Sequence, residues 1–490
     1  MKKIFCIIFI LCISFLLVSC SVPRQQHDSN DSYYNYDRDT NDDEFQDIKE
    51  NSFINTDVKD KSNISLSNNT AAYSFIRSQI NEGNSIDSNV VRIEEMVNFF
   101  KYDYNQPKEN DVFGFKSEII QTPWNPNTYL MMIGLETEKM DLEDIANNIV
   151  LLVDVSGSMA SPNKLTLAKE AFKLLVEQMG KNDVISLVTY ASGEKIVFQG
   201  KSINDYDSII KDINKLEANG ATAGQKGLQT AYEVAREYFI ENGNNRIVLA
   251  TDGDYNVGIS DTDELVEYIS EKRKTGIYFS AYGFGMGNYK DEKLERIAGA
   301  GNGVYHYIDD ISSARKAFVD EINGTLYTVA RDAKAQITFN KNSVLEYRLI
   351  GYENRKLSDE QFDDDTTDAG EIGTGLQVTA IYELKLNNNR TEDIGSLLIR
   401  YKDNDTKNDE VYEDSFKVTN NISSTPSSDA KFIGCVVEFG LILLNSKYKQ
   451  NAKLENVIER LESDSLYFEN YYRKDFIDLV IKYKKIVQSK

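Results

Sequence analysis

The sequence predicts an α/β protein in which a doubly wound, mostly parallel sheet is inserted in, or flanked by, a β-rich domain and followed by C-terminal helices. Three observations support this prediction. Short apolar runs alternate with helical patterns between residues 148 and 327, which is typical of a parallel sheet with helices on both faces. Polar turns separate strand-like segments from 328 to 425, and helical spacing returns from 426 to 490.

The start of the chain has the pattern of a bacterial export signal. Lys2 and Lys3 precede an apolar stretch that is short for a membrane span, so residues 1–19 are predicted to be a signal peptide. The stretch ends in the sequence LVSC, which resembles a bacterial lipobox. The resemblance implies a lipid on Cys20 and an extracytoplasmic protein anchored to a bacterial membrane, facing the periplasm or the cell surface. An ordinary signal peptide that ends in a chance cysteine is the alternative.

Residues 20–70 are rich in Asn, Asp, Ser and Tyr and are predicted to be a lipidated, disordered tether. The region 71–147 is expected to hold two helices and then strands at 112–136, ahead of the α/β segment 148–327. Two strands are marginal by themselves. We therefore predict that they pair with strands between 330 and 420, which would make the β domain discontinuous.

Composition excludes several classes of function. The formal net charge of −23 disfavours binding to nucleic acid or to an anionic membrane surface. His27 and His306 are the only histidines, so multi-histidine zinc sites and Ser-His-Asp catalysis are close to excluded, and His306 is predicted to be a packed strand residue. The run Gly283–Gly287 lacks the GxGxxG spacing, so nucleotide binding is not expected. Cys435 lies in an apolar run and is interpreted as a buried small hydrophobe.

The segment IVLLVDVSGSM, residues 149–159, carries the strongest chemical signal of the chain. An apolar strand runs into Asp154, and Ser156 and Ser158 follow at alternate positions. Alternate residues of an extended segment point the same way, so one carboxylate and two hydroxyls are aimed at one point. Such oxygens suit a hard divalent cation. A serine-rich turn after a strand is the alternative interpretation.

Two further segments bring additional oxygen side chains toward the same place. Thr222 stands in a glycine-flanked loop before a predicted helix, and Asp252 follows another apolar strand in the sequence TDG. The strands before Asp154 and Asp252 are expected to end at the same edge of the sheet, where ligands bind in folds of this class. The candidate metal ligands are therefore Asp154, Ser156, Ser158, Thr222 and Asp252.

These segments together resemble the metal-ion-dependent adhesion site of von Willebrand factor A (VWA) domains, which have a Rossmann-like fold. The stretches VRIEEMVNFFKYDYNQP, TPWNP and ARDAKAQITFN resemble a bacterial family of VWA-containing lipoproteins, and this resemblance covers most of the chain from about residue 71. It implies direct contacts to the cation from Ser156, Ser158 and either Asp154 or Thr222. The remaining oxygens, including Asp252, are implied to act through water.

The predicted function is binding rather than catalysis. Two carboxylates and three hydroxyls leave Mg²⁺, or alternatively Mn²⁺ or Ca²⁺, short of negative charge, so a vacant position favours an Asp or Glu carboxylate of a protein partner. We expect a cell-envelope lipoprotein that uses this cation for adhesion or complex assembly. Lys226, where the family pattern favours a smaller residue, is a candidate competitor for that ligand.

Two other functions compete with this prediction. One is a structural or assembly factor that binds partners through its β and helical regions, with a secondary role for the metal. The other is a metal-dependent hydrolase with Ser156 or a bound water as nucleophile. The sequence disfavours the hydrolase because it shows no evident general base beside the candidate site.

Overall fold

A computed structural model describes residues 49–109, 111–142, 145–220, 225–253, 261–285, 291–390, 393–403 and 410–489. The predicted signal peptide, Cys20 and Thr222 lie outside these residues, as does the predicted tether up to residue 48.

The described elements form an N-terminal region, an α/β segment, a β-rich region and a helical C-terminal region. The strands are β1 (Ile54–Asn55), β2 (Lys61–Ser65), β3 (Phe113–Gln121), β4 (Tyr129–Thr137), β5 (Asn147–Asp154), β6 (Val184–Tyr190), β7 (Glu194–Ser202), β8 (Asn244–Thr251), β9 (Ile277–Phe284), β10 (Tyr305–Ile308), β11 (Thr328–Phe339), β12 (Val344–Ile350), β13 (Lys356–Leu357), β14 (Gly370–Gly373), β15 (Gln377–Leu386), β16 (Asp393–Lys402) and β17 (Val411–Thr419). The α-helices are α1 (Ala71–Glu82), α2 (Ile93–Asn98), α3 (Leu167–Glu177), α4 (Tyr206–Asn214), α5 (Gln225–Glu237), α6 (Thr262–Arg273), α7 (Asp291–Ala300), α8 (Ile311–Arg315), α9 (Ile322–Leu326), α10 (Asp359–Asp363), α11 (Ser428–Leu443), α12 (Leu454–Glu462), α13 (Leu466–Glu469) and α14 (Tyr471–Gln488).

The α/β segment contains one sheet with the strand order β10-β9-β8-β5-β6-β7. All neighbours are parallel except β7, which runs antiparallel to β6. Leu151 and Val153 of β5 pack with α3, α4 and α8 on one face, whereas Val150 and Leu152 pack with α5, α6 and α7 on the other. This arrangement confirms the predicted doubly wound sheet. The strand order reverses beside β5, because β6 lies on one side of it and β8 on the other.

The β-rich region is a sandwich of two antiparallel sheets. One has the order β1-β12-β15-β4-β3, and the other has the order β13-β2-β11-β16-β17, with β14 also paired to β11. Inward side chains such as Ile133 and Val378 of the first sheet meet Ile337 and Leu397 of the second. Strand β4 precedes the α/β segment in the sequence and β15 follows it, and these two strands pair directly in an antiparallel arrangement. This pairing confirms that the α/β segment is inserted into a discontinuous β domain.

The prediction of a disordered tether is wrong for residues 54–55, which form β1 at the edge of the first sheet, and for residues 61–65, which form β2. Strand β2 lies between β11 and β13 in the second sheet of the sandwich. Its sequence KSNIS supplies one strongly apolar side chain, Ile64, to the sandwich core. The strand is stabilised by two neighbouring ladders rather than by its own hydrophobic pattern. A segment whose composition is rich in Asn and Ser, and therefore predicts disorder, forms a strand with a neighbour on each side.

The C-terminal helices cover the outer face of the first sheet. Leu130 and Met132 of β4 share a core with Trp124 and with α2 and α11. Helix α11 is buried along most of its length, including Cys435, and its buried Glu438 pairs with Arg460. Among the described residues, no helix combines the length and the apolar character needed to cross a membrane. The outer face of the first sheet and the C-terminal helices therefore share one packed core.

The inserted segment is also held by a buried arginine outside it. Arg77 of α1 has a side chain that is 1% exposed, and its Nη2 lies 2.7 Å from Asp309 Oδ1 and 3.0 Å from Asp310 Oδ1. Its Nη1 lies 3.4 Å from Asp475 Oδ2 in α14. A single guanidinium therefore joins the N-terminal region, the end of β10 and the C-terminal helix.

Candidate metal centre

The end of β5 gathers three of the predicted ligands. The backbone N–H of Ser156 donates to Asp154 Oδ1 at 2.8 Å, and the hydroxyl oxygens of Ser156 and Ser158 lie 2.9 Å apart. Asp154 and Ser156 are buried, whereas Ser158 is exposed. The oxygen cluster therefore runs from the buried strand end to the protein surface.

Asp252 lies at the end of the neighbouring strand. Val153 of β5 is the register partner of Ala250 in β8, so Asp154 and Asp252 follow adjacent strands at one edge of the sheet. Burial raises the pKa of Asp154 to about 6, against the lowering effect of the hydrogen bonds from Ser156, and the Asp252 carboxylate adds to the rise. Because both side chains are shielded from water, the carboxylates of Asp154 and Asp252 repel each other strongly unless a positive charge lies close to them.

The loop that leads to Thr222 is tied to the serine loop by the backbone. The N–H of Asn219 donates to Val155 O at 2.7 Å, and the N–H of Gly157 donates to Gly220 O at 2.9 Å. Gly220 has φ +95°, a left-handed conformation that favours glycine. Thr222 follows two residues later and lies outside the described residues.

The described donors fit a hard divalent cation. Asp154 Oδ2 and Asp252 Oδ1 are buried, and no residue that the structure describes donates a hydrogen bond to either oxygen. Within the described part of the chain, no three His, Cys, Asp or Glu side chains gather into a metal-binding group. The donor set is instead two carboxylates beside two hydroxyls, and oxygen donors of this kind suit Mg²⁺ better than a soft metal.

Sequence reasoning missed one residue of the site, Lys164. Its Nζ lies 3.0 Å from Asp252 Oδ2, with the lysine side chain 11% exposed and the aspartate side chain 0% exposed. The available signal was helical spacing, because Lys164 precedes the buried residues Ala168 and Phe172 by four and eight positions. Lys226, the competitor suggested by the sequence, is exposed in the first turn of α5.

His306 is a packed strand residue, as predicted. It lies in β10, and its ring stacks on Tyr282 with 5.6 Å between the centroids. Burial lowers its pKa to about 4. The side chain therefore belongs to the core of the α/β segment.

A doubly wound sheet with an oxygen cluster at the point of strand reversal defines a VWA-domain protein. The model of the von Willebrand factor type A domain matches residues 148–321, and a second model, described as von Willebrand factor, matches residues 39–132. A third model, described as the C-terminal part of the uncharacterized protein YfbK, matches residues 324–486. The three matches together span the folded body of the chain.

The chain belongs to the family of the uncharacterized protein YfbK of Escherichia coli (strain K12). The two proteins are 35% identical over 443 residues, which is 85% of this chain and 76% of YfbK. Among solved structures, the chain is similar to a von Willebrand factor type A protein from Catenulispora acidiphila, at 16% identity and a TM-score of 0.39 over 74% of this chain and 88% of that chain. It is also similar to proximal thread matrix protein 1 from the mussel byssus with a zinc-occupied MIDAS motif, at 26% identity and a TM-score of 0.31 over 36% of this chain and 44% of that chain.

Proposed function

We propose that this protein binds a divalent cation, Mg²⁺ in the first place, at the ends of β5 and β8 and uses it to bind a carboxylate of a protein partner. The observation that carries the proposal is the pair of buried carboxylate oxygens, Asp154 Oδ2 and Asp252 Oδ1, beside two serine hydroxyls. Within the described ranges of the chain, neither carboxylate oxygen accepts a hydrogen bond. Buried charges of this kind are ordinarily paired or bound to a metal. The role is adhesion or complex assembly rather than turnover.

The proposed ligand residues differ in charge and in exposure to solvent. Asp154 and Asp252 supply the negative charge from the buried side, and Ser156 and Ser158 add neutral oxygens toward the surface. Thr222 completes the proposed set. The bound cation supplies an open coordination position that attracts an oxygen anion. The exposure of Ser158 leaves that side of the site accessible to a partner.

The charge of the whole chain narrows the class of partner. A net charge of −23 repels a strongly acidic protein at long range, whereas the cation favours one carboxylate at short range. The proposed partner surface therefore presents a single Asp or Glu on neutral or basic ground. Association with such a surface is expected to slow as ionic strength rises.

We expect Asp154→Ala to abolish the binding of Mn²⁺, used as a probe for Mg²⁺, when heat is measured by titration calorimetry on the chain without its signal peptide. The unbound variant should be no less stable than the unbound parent, because the substitution removes a buried carboxylate whose pKa burial has raised. Asp154→Asn should give the same result with the side-chain volume preserved.

Asp207→Ala is the matched control, since Asp207 is exposed in the first turn of α4 of the same domain. It should bind Mn²⁺ like the parent. Retention of binding by Asp154→Ala would refute the site assignment. Partners that remain bound in a chelator would favour the assembly-factor alternative over the metal-dependent one.

We further propose that lipid on Cys20 anchors the protein to the outer side of a bacterial membrane. The proposal is supported by the basic start, the apolar stretch and the LVSC sequence, in that order. Cys20→Ser should move the protein from the membrane fraction to the aqueous phase in a detergent phase partition. Cys435→Ser should leave the distribution unchanged, and a Cys20→Ser variant that stays with the membrane would contradict the anchor.

A further inference from the structure

The local backbone and a carboxylate partner hold Lys164 in the candidate metal site. It belongs to the turn Pro162–Thr166, where its φ of −112° and ψ of −105° depart from helical values. This backbone lets the side chain pass over the end of β9 and reach Asp252 after β8. A lysine side chain that is only 11% exposed is unusual. Lysine is rarely buried unless its ammonium group has a partner, and the partner here is Asp252.

Gly285 makes room for the lysine stem. It has φ +85°, and a Cβ at this position would lie 2.3 Å from Lys164 Cγ. The glycine therefore serves both a left-handed turn and a close approach. The path of the lysine thus depends on a residue more than a hundred positions away in sequence, at the end of a different strand.

The two oxygens of the Asp252 carboxylate differ in their contacts. Oδ2 accepts a hydrogen bond from Lys164 Nζ at 3.0 Å, whereas Oδ1 is buried and accepts none from the described residues. Asp154 contributes a second buried oxygen, Oδ2, which also has no hydrogen-bond partner in the described part of the chain. The lysine therefore neutralises part of the site but leaves one oxygen of each carboxylate for a cation.

We infer that Lys164 sets the charge of the site, weakening its hold on the cation and strengthening its attraction for an anionic ligand. This inference rests on the proposed function. Asp154, Asp252 and Lys164 together present a net charge of −1 to a cation. With a divalent ion bound, these groups carry a net charge of +1, whereas without the lysine they would be neutral. The surplus charge favours a carboxylate in the open position.

The inference predicts effects of opposite sign for the two ligands. Lys164→Met keeps the length of the side chain and removes its charge. Mn²⁺ should bind about tenfold more tightly or better, because a unit and a double charge at ~6 Å repel by a factor of this size even in water. Acetate, the simplest carboxylate probe, should bind the Mn²⁺-loaded variant more weakly. Calorimetry measures the first effect, and water-proton relaxation of the bound Mn²⁺ measures the second.

Three further variants make the test independent of folding defects. Lys211→Met is the matched control, because Lys211 is exposed in the last turn of α4 of the same domain, and it should leave both affinities within about twofold. Asp252→Asn removes a ligand charge and should bind Mn²⁺ about tenfold more weakly than the parent, and the addition of Lys164→Met to Asp252→Asn should raise that weakened affinity by about tenfold. Comparison of the single and double variants decides the question even if Lys164→Met alone is unstable.

The outcomes separate this inference from the proposal beneath it. A parent protein that fails to bind Mn²⁺ overturns the proposed function. A parent that binds, combined with a folded Lys164→Met variant of equal or weaker Mn²⁺ affinity, overturns the role of Lys164 alone, because a purely structural lysine would weaken the site when removed. Tighter Mn²⁺ binding with weaker acetate binding supports it.

Discussion

Arg348→Met is expected to lower the free energy of unfolding by about 3–5 kcal/mol, because it leaves a buried carboxylate without its cation. Arg348 in β12 faces Glu383 in β15, and Nη2 and Nε lie 2.7 Å and 3.1 Å from Glu383 Oε2. The two side chains are 2% and 1% exposed. Glu383 Oε1 also accepts a hydrogen bond from Thr128 at 2.7 Å, so the carboxylate supports the turn before β4 as well. Urea unfolding followed by circular dichroism measures the loss.

Strands β12 and β15 also contain an exposed ion pair that serves as the control for Arg348→Met. Glu346 and Lys385 are also register partners, and Nζ lies 2.6 Å from Oε2, yet their side chains are 32% and 45% exposed. Lys385→Met should therefore cost about 0–1 kcal/mol. Equal losses for Arg348→Met and Lys385→Met would show that burial does not set the strength of these cross-strand pairs.

Arg77→Met is expected to cost a similar amount, about 3–5 kcal/mol, and in addition to loosen the contacts between three regions. The guanidinium contacts Asp309 and Asp310 beside β10 and Asp475 in α14, and it also donates to Ser313 at 2.5 Å. Without it, three carboxylates remain close together with no cation between them. Hydrogen exchange should therefore rise in α1 and α14 more than in β5 and β8, which lie in the middle of the inserted sheet.

Arg296→Met serves as the comparison for Arg77. Arg296 pairs with Asp263 across α6 and α7, and the two side chains are 42% and 81% exposed. Its loss should change the unfolding free energy by about 1 kcal/mol or less. If Arg77→Met left both the stability and the exchange of α14 unchanged, Arg77 would not be the link that holds the inserted domain to the C-terminal helix.

Much of the fold follows from local patterns. The fully apolar run of β5 predicts a buried parallel strand, and its end predicts the position of Asp154. The alternation of strands and helices predicts the doubly wound sheet, and the isolated strands at 112–136 predict the pairing that β4 makes with β15. Each of these inferences depends on periodicity within a few residues or on the rule that a strand needs a neighbour.

The rest depends on contacts between residues that are distant in sequence. Strand β2 has too few apolar residues to be predicted, and it is ordered because β11 and β13 supply its hydrogen-bond partners. The burial of Lys164 likewise needs the open space at Gly285 and the carboxylate of Asp252. A charged side chain normally indicates a surface, and only a partner brought by the fold reverses that expectation.

The sequence alone therefore predicted the class of fold, the strand pairing that makes the α/β segment an insertion, and an oxygen-rich strand end with Asp154, Ser156 and Ser158. The signals for these features lie in neighbouring residues. The three-dimensional structure was needed to show that β5 and β8 are direct neighbours and to place Lys164 beside Asp252. The physical reason is that periodicity encodes which face of an element is buried, whereas the charge balance of a site is set by side chains that meet only after the strands have paired.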